Sequence, residues 1–167
     1  TEIIRRLNQK TLILVHTDDL MQQMRRRLEK SFRQKIGIIK QSTIDVRNVT
    51  VASVQTLSRR QLDPKFLRQF GLVMLDESHH MPAESFTVVM KQFPARYRFG
   101  TTATTKRGDN LHGLMFATLG YRFFKITYQE LYAGGWLMPP KVKIIDTKFQ
   151  FEGGGRRYNK MIDALIS

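Results

Sequence analysis

Apolar residues along this chain follow two patterns, short continuous runs and positions spaced three or four apart. Continuous runs predict strands buried on both faces, as in parallel sheets. They occupy residues 11–16, 36–39, 49–53, 71–76, 96–101 and 122–126, with a strand-like exit segment at 141–146. Spaced apolar positions predict amphipathic helices between these runs. They fall within residues 1–9, 20–32, 54–60, 64–67, 82–93, 111–115, 131–132 and 158–165.

Residues at the predicted helix ends support this division. Thr17 precedes two aspartates and suits an N-cap at the positive end of a helix dipole. Asp63 is followed by Pro64, which favours a helix that begins at the proline. Thr127 and Glu130 have the spacing of a capping box. Strands that alternate with helices predict an α/β fold, a parallel sheet flanked by helices.

The composition is that of an ordinary globular protein, with 41% hydrophobic and 25% charged residues in a chain of 167. No apolar run approaches the roughly 20 residues of a membrane-spanning helix, and the first residues show no signal-peptide pattern. The chain has no cysteine, which excludes disulfides, thiolate zinc sites and a cysteine nucleophile. We therefore expect a cytoplasmic protein with no membrane partner.

The charge balance points to a polyanionic partner. Lys and Arg total 28 against 14 acidic residues, a net charge of +14 at pH 7. An excess of this size favours binding to nucleic acid through its phosphates. A basic surface that is merely solvated is the alternative. A membrane surface is disfavoured, because no segment combines a basic face with a Trp- and Phe-rich apolar face.

The strongest candidate for chemistry is the acid pair Asp76 and Glu77, which follows the apolar run 72–75. Open α/β sheets bind ligands at the carboxyl ends of their strands, and an acid pair there needs a cation. Nucleotide-bound Mg²⁺ meets that need, with Asp76 on the metal and Glu77 on the attacking water. With His79 and His80, the pair could instead form a transition-metal site. A solvated turn, or histidines that only link a packed hinge, also remains open.

Several ordered motifs resemble those of superfamily 2 DExH-type helicases and translocases. Residues 76–79 resemble their Walker B motif Asp-Glu-x-His, and residues 100–104 resemble their third motif, Ser/Thr-Ala-Thr. Further similar segments are 11–20 (motif Ia), 49–57 (Thr-x-x-Ser/Thr-Leu), 93–98 and 130–137. The likeness covers nearly the whole chain, and it is nearest to repair-type helicases and restriction-enzyme translocase subunits.

The resemblance implies a RecA-like fold of the P-loop NTPase class, with ATP and Mg²⁺ as cofactors and DNA as the expected nucleic acid. It implies a partial first motor domain at 1–150, then a linker and the start of a second RecA-like domain at 151–167. The phosphate loop of the family, Gly-x-Gly-Lys-Thr, occurs nowhere in the sequence and is expected before residue 1. We therefore expect the parent protein to be an ATP-dependent helicase and this chain alone to be inactive.

The roles that the resemblance implies fall into three groups. The nucleotide group comprises Asp76, Glu77, His79 and His80. The group that couples nucleotide state to movement comprises Thr102, Ala103 and Thr104. The group that contacts nucleic-acid phosphates comprises Thr17, Gln55 and Thr56.

Two departures from the family pattern stand out. Thr105 replaces the proline that usually ends the third motif, and Lys40-Gln41-Ser42 replaces a Gly-Gly pair. A non-catalytic nucleic-acid-binding module that keeps the fold, and a metal-dependent hydrolase, are the alternative functions.

Overall fold

Six strands pair into one sheet in the computed structural model. The structure describes residues 1–76, 83–102, 112–120, 124–141 and 143, with the side chains of 83, 84 and 112–115 excepted. The strands are β1 (Thr11–Val15), β2 (Gly37–Lys40), β3 (Thr43–Asp45), β4 (Val49–Ser53), β5 (Leu72–Leu75) and β6 (Tyr97–Gly100). Their order across the sheet is β3-β2-β4-β1-β5-β6. All pairs are parallel except β2 with β3.

Helices connect β1 to β2, β4 to β5 and β5 to β6, as the sequence predicts, whereas short non-helical segments join β2, β3 and β4. The helices are α1 (Glu2–Leu7), α2 (Asp18–Phe32), α3 (Val54–Ser58), α4 (Pro64–Leu67), α5 (Ala83–Gln92), α6 (His112–Leu119) and α7 (Tyr128–Ala133). The predicted α/β fold, a largely parallel sheet flanked by helices, is confirmed. The chain divides into two units, Thr1–Phe123 and Phe124–Ser167, and the sheet belongs to the first.

Both faces of the sheet are buried. Successive side chains of each strand point to opposite faces, so one strand contributes to two core clusters. On β1, Leu12 and Leu14 belong to one core cluster, whereas Ile13 and Val15 belong to the other. The first cluster is completed by residues of α3, α4 and α5, and the second by residues of α1 and α2. This two-sided burial explains why the strands read as continuous apolar runs.

The edge strand β3 was not predicted from the sequence. It pairs antiparallel to β2, with Lys40 opposite Thr43, so Gln41 and Ser42 form the turn between them. β3 is short and solvent-facing, and its one large apolar side chain, Ile44, is 58% exposed. Nothing in its hydrophobic pattern distinguishes it from a loop.

The predicted strand at 122–126 is not formed in its described part. Residues 124–126 have no regular secondary structure, and residues 122 and 123 lie outside the described residues. Phe124 and Ile126 are 71% and 49% exposed. Most of the exit segment 141–146 and the helix at 158–165 also lie outside the described residues.

The predicted caps are present. Thr17 Oγ1 accepts a hydrogen bond from the backbone N–H of Leu20 at 3.3 Å, and Asp63 caps α4 ahead of Pro64. Thr127 and Glu130 form the capping box of α7. Hydrogen bonds from the backbone N–H and hydroxyl of Thr127 lower the pKa of Glu130. In the described part of the chain, no helix is long and apolar enough to cross a membrane.

Phe70 provides a test of the core. Its side chain is 1% exposed, and its ring packs edge-on against Phe66 and Phe93 with centroids 5.5 and 6.0 Å away. We expect Phe70→Ala to lower the free energy of unfolding by about 3–5 kcal/mol, measured by urea titration. Phe124→Ala removes the same atoms from an exposed site and should change that free energy by less than about 0.5 kcal/mol. Equal effects of the two substitutions would contradict this packing.

Candidate functional site

The carboxyl ends of four parallel strands meet at one edge of the sheet. The register pairs Val15 of β1 with Ser53 of β4, and Leu75 of β5 with Gly100 of β6. The residues that come after these strand ends therefore lie side by side. They are His16 and Thr17 after β1, Gln55 and Thr56 in α3 after β4, Asp76 after β5, and Thr101 and Thr102 after β6.

Asp76 is held by both neighbouring strands. Its backbone N–H donates to the Leu14 carbonyl of β1 at 3.1 Å. The Thr101 hydroxyl donates to Asp76 Oδ1 at 2.7 Å, and the Thr101 backbone N–H donates to the Leu75 carbonyl at 2.9 Å. These bonds fix the direction of a partly buried carboxylate at the sheet edge.

The Asp76 carboxylate has the chemistry of a Mg²⁺ ligand. A carboxylate has about four lone-pair positions, and the bond from Thr101 uses one oxygen. Oxygen ligands of this kind suit Mg²⁺ and the waters it retains. Glu77, His79 and His80, predicted beside Asp76, lie outside the described residues. Among the residues that the structure describes, no group of three or more His, Cys, Asp or Glu could hold a metal ion.

Thr101 was missed as a site residue, and strand register is the signal that finds it. Leu75 pairs with Gly100, so the next residue on each strand, Asp76 and Thr101, also lie opposite each other. The predicted coupling residue Thr102 follows directly and is partly buried. Its predicted neighbours Ala103 and Thr104 lie outside the described residues.

A second part of the edge is a groove of about 380 Å³ at the ends of β2 and β4, which we call the basic groove. It is lined by Asp18, Lys40, Gln41, Ser53, Gln55, Thr56, Arg59 and Arg60. Its lining thus contains three cationic side chains and one carboxylate, beside hydroxyl and amide groups. Such a mixture suits an oxyanion such as a backbone phosphate.

The β2–β3 turn is fixed against α3 beside this groove. The Gln41 backbone N–H donates to Thr56 Oγ1 at 3.1 Å, and the Arg60 guanidinium donates to the Gln41 carbonyl. Gln41 has a φ of 46°, the left-handed conformation that glycine adopts most easily. The turn is therefore formed without the Gly-Gly pair that the resemblance led us to look for.

Gln55 joins the ends of β4 and β1. Its Nε2 donates to the His16 carbonyl at 2.7 Å, and its Oε1 accepts from the Ser53 hydroxyl at 2.9 Å. Thr17 and Thr56 each accept one hydrogen bond from a backbone N–H. A hydroxyl that accepts in this way keeps its own proton to donate to an anion. Gln55 and Thr56 line the basic groove, and Thr17 directly precedes the groove residue Asp18.

Asp18 occupies the groove as an internal anion. Its Oδ2 lies 2.7 Å from Lys40 Nζ, in a pair whose side chains are 59% and 30% exposed. An exposed pair of this kind contributes little free energy, about 0.2–1 kcal/mol, so a bound phosphate could replace the carboxylate.

The strand order also gives the distance between Asp76 and the basic groove. β5, which Asp76 follows, is two strands from β4 and three strands from β2. At about 4.8 Å per strand, Asp76 and the basic groove are about 10–14 Å apart.

Comparison with known proteins gives one family and several relatives. The family profile described as type III restriction enzyme, res subunit, matches residues 1–107. The DNA 3′-5′ translocase XPB2 of Sulfurisphaera tokodaii is 30% identical over 142 residues, 85% of this chain and 32% of that protein. The DNA 3′-5′ helicase XPB of Mycobacterium tuberculosis is 29% identical over 138 residues, 77% of this chain and 25% of that protein.

A solved structure supports the fold. The crystal structure of the UvsW helicase from bacteriophage T4 matches with a TM-score of 0.56 at 22% identity, over 67% of this chain and 43% of that chain. The present chain spans about a third or less of the Sulfurisphaera and Mycobacterium proteins.

The ion pair between Asp18 and Lys40 can be tested by one substitution. Asp18→Asn frees Lys40 and should raise affinity for an oligonucleotide by up to about fivefold, the equivalent of an exposed ion pair. Asp63→Asn is the control, because it removes the same charge from an exposed helix cap that does not line the basic groove, and asparagine caps a helix as well as aspartate does. Fluorescence anisotropy with labelled dT24 measures both. Equal gains would mean that net charge alone, and not the ion pair, controls binding.

Proposed function

Because its residues 1–107 match the profile, this chain belongs to the family of the type III restriction enzyme res subunit, and we propose that it forms part of the first motor domain of an ATP-dependent DNA helicase or translocase. One observation carries the proposal: Asp76 and the basic groove lie at the carboxyl ends of parallel strands in one sheet. A motor needs a nucleotide site and a nucleic-acid site on a common rigid support, and this edge provides positions for both.

On the nucleotide side, Asp76 would hold Mg²⁺ through a water, and Glu77 would orient the water that attacks the γ-phosphate of ATP. Phosphoryl transfer depends on positioning and charge neutralisation, which adjacent carboxylates at a strand end can supply. The hydrogen bond from Thr101 supports this role, because it aims the Asp76 carboxylate from a neighbouring strand. His79 and His80 are proposed to link this site to the third motif.

On the nucleic-acid side, the basic groove binds the phosphates of one strand through hydroxyl, amide and cationic groups. The predicted residues Thr17, Gln55 and Thr56 are joined in this role by Lys40 and Arg59. Contacts of this kind position a strand without reading its bases, as movement along any sequence requires. DNA is proposed because the relatives from Sulfurisphaera and Mycobacterium are named as acting on DNA. Another, from mimivirus, is named an RNA helicase.

Coupling between the two sides is proposed to pass along the third motif. Thr101 contacts Asp76, and Thr102, Ala103 and Thr104 come directly after it. A change at the nucleotide would reach this segment through one hydrogen bond. We further propose that residues 1–150 belong to the first RecA-like domain and that 151–167 lead to a second one, with which the ATP site is shared. A cytoplasmic location stays a prediction from the cysteine-free composition.

A non-catalytic nucleic-acid-binding module is the second candidate. The basic groove favours it, because its cationic, hydroxyl and amide side chains suit an oxyanion and need no ATP for that. The two candidates differ in whether the protein turns over nucleotide.

ATP hydrolysis by the full-length protein tests the proposed function. We expect DNA-stimulated turnover that Glu77→Gln reduces by about 10² or more, since that residue is proposed to orient the attacking water. The 167-residue chain alone should show no turnover, because its sequence has no Gly-x-Gly-Lys-Thr loop. Turnover by this chain, or a full-length protein with no ATPase activity that still binds DNA, would contradict the motor assignment. An RNA oligonucleotide in the same assay distinguishes the two nucleic acids.

Thr101 is expected to be a positioning residue for Asp76. Thr101→Val keeps the shape but loses the donor, which should lower kcat of the full-length protein about tenfold, because a hydrogen bond to a charged group contributes about 1.5 kcal/mol. The Mg²⁺ concentration for half-maximal activity should rise as well. Thr101→Ser restores the hydroxyl and should recover both values. A Val variant with an unchanged Mg²⁺ response would show that the bond is structural only.

A further inference from the structure

Helix α2 carries a set of cations on its outer side. Its inner side is held in the core by Met21 and Leu28, which are 0% and 3% exposed. The opposite side presents exposed basic residues at helical spacing. They are Arg26, Arg27 and Lys30, and with Arg33, the C-cap residue that follows the helix, we call them the outer basic face.

These four cations differ from the paired basic residues of the first unit. Arg25 on the same helix pairs with Glu29 at 3.0 Å, and elsewhere Arg47 pairs with Asp45 at 2.9 Å. Within the described chain, no ion pair joins a residue of the outer basic face to a carboxylate. Like charges three or four residues apart on a helix repel each other. A polyanion along this face would relieve that repulsion.

The amino-terminal half of α2 continues the outer basic face as an open polar surface. Its side chains, all from this one helix, are Asp19, Leu20, Gln22, Gln23, Arg26 and Arg27. Two amides and two guanidiniums give it many more donors than acceptors. Guanidinium forks match the geometry of phosphate oxygens.

The outer basic face begins close to the basic groove. Asp18 lines the basic groove, and Asp19, the next residue of α2, lies on the same polar surface as Arg26. With a rise of about 1.5 Å per residue, Arg27 lies about 14 Å along the helix axis from Asp18. That span corresponds to about four nucleotides of a stacked strand at about 3.4 Å each. A strand that leaves the basic groove in this direction meets the outer basic face next.

We propose that the outer basic face of α2 is a second nucleic-acid-binding surface, which contacts phosphates of the strand beyond the basic groove. The proposal rests on the proposed function, because a nucleic acid bound in the basic groove is its starting point. The contacts are to phosphate and carry no base preference. Their function is to lengthen the bound segment, so that affinity and its salt dependence exceed what the basic groove alone provides.

The test measures how the affinity for dT24 depends on salt in variants that each replace two cationic side chains. Arg26→Gln/Arg27→Gln removes two charges from the outer basic face, and glutamine keeps a helix propensity similar to that of arginine. If both contact phosphates, the slope of log K against log salt should shrink by about 1.4, at about 0.7 per contact on a single strand. The loss of affinity should then be about sevenfold larger at 50 mM than at 200 mM salt.

Two further variants make the result specific. Lys65→Gln/Arg68→Gln removes the same charge from exposed positions around α4, directly before the amino end of β5, and should leave the slope unchanged. Lys40→Gln/Arg59→Gln removes two charges from the basic groove and should lower the slope in its own right. Circular dichroism checks that all variants keep the wild-type helix content.

The outcomes separate this inference from the proposed function. If wild-type protein does not bind dT24 in a salt-dependent way, both are wrong. If the basic-groove variant loses affinity while the α2 variant matches the α4 control, the second surface is wrong and the proposed function stands. A specific loss in the α2 variant supports the second surface.

Discussion

The parallel pairing of β4, β1, β5 and β6 is the constraint on which the rest of this molecule depends. It brings residues from distant parts of the sequence to one edge, because parallel strands end together. Asp76 and Thr101 meet only because Leu75 and Gly100 are in register. A shift of one residue between these strands would turn each side chain to the opposite face and separate the two groups. The contact between Asp76 and Thr101 therefore depends on the register of the sheet and not on a sequence motif alone.

The two-sided burial of that sheet explains what the sequence reveals. Strands covered by helices on both faces become continuous apolar runs, so five of the six strands are visible from hydrophobicity alone. β3 is not, because an exposed edge strand with one large apolar side chain resembles a loop. The predicted strand around Phe124 fails for the converse reason. Phe124 and Ile126 are exposed in the structure, so the apolar residues there do not indicate a buried strand.

The sequence also identifies part of the candidate site. The acid pair is visible because carboxylates directly after a buried run are unusual, and capping spacing identifies Thr17. The cations of the basic groove are not visible, because the chain has 28 Lys and Arg residues and only the strand order selects among them. The contact between Thr101 and Asp76 needs a register that neither strand encodes alone. Residues whose local context is distinctive are visible in a single sequence, whereas residues whose role depends on neighbours in space are not.

The Gln55 side chain both links two strand ends and lines the basic groove. Its amide bonds the His16 carbonyl and the Ser53 hydroxyl, so it ties two strand ends together while it lines the basic groove. Removing it would loosen the loop that carries Thr17 and change the groove wall at once. A change in nucleic-acid affinity would then have two causes, the loosened loop and the lost contact in the groove. A replacement that keeps both roles must supply a hydrogen-bond donor and an acceptor.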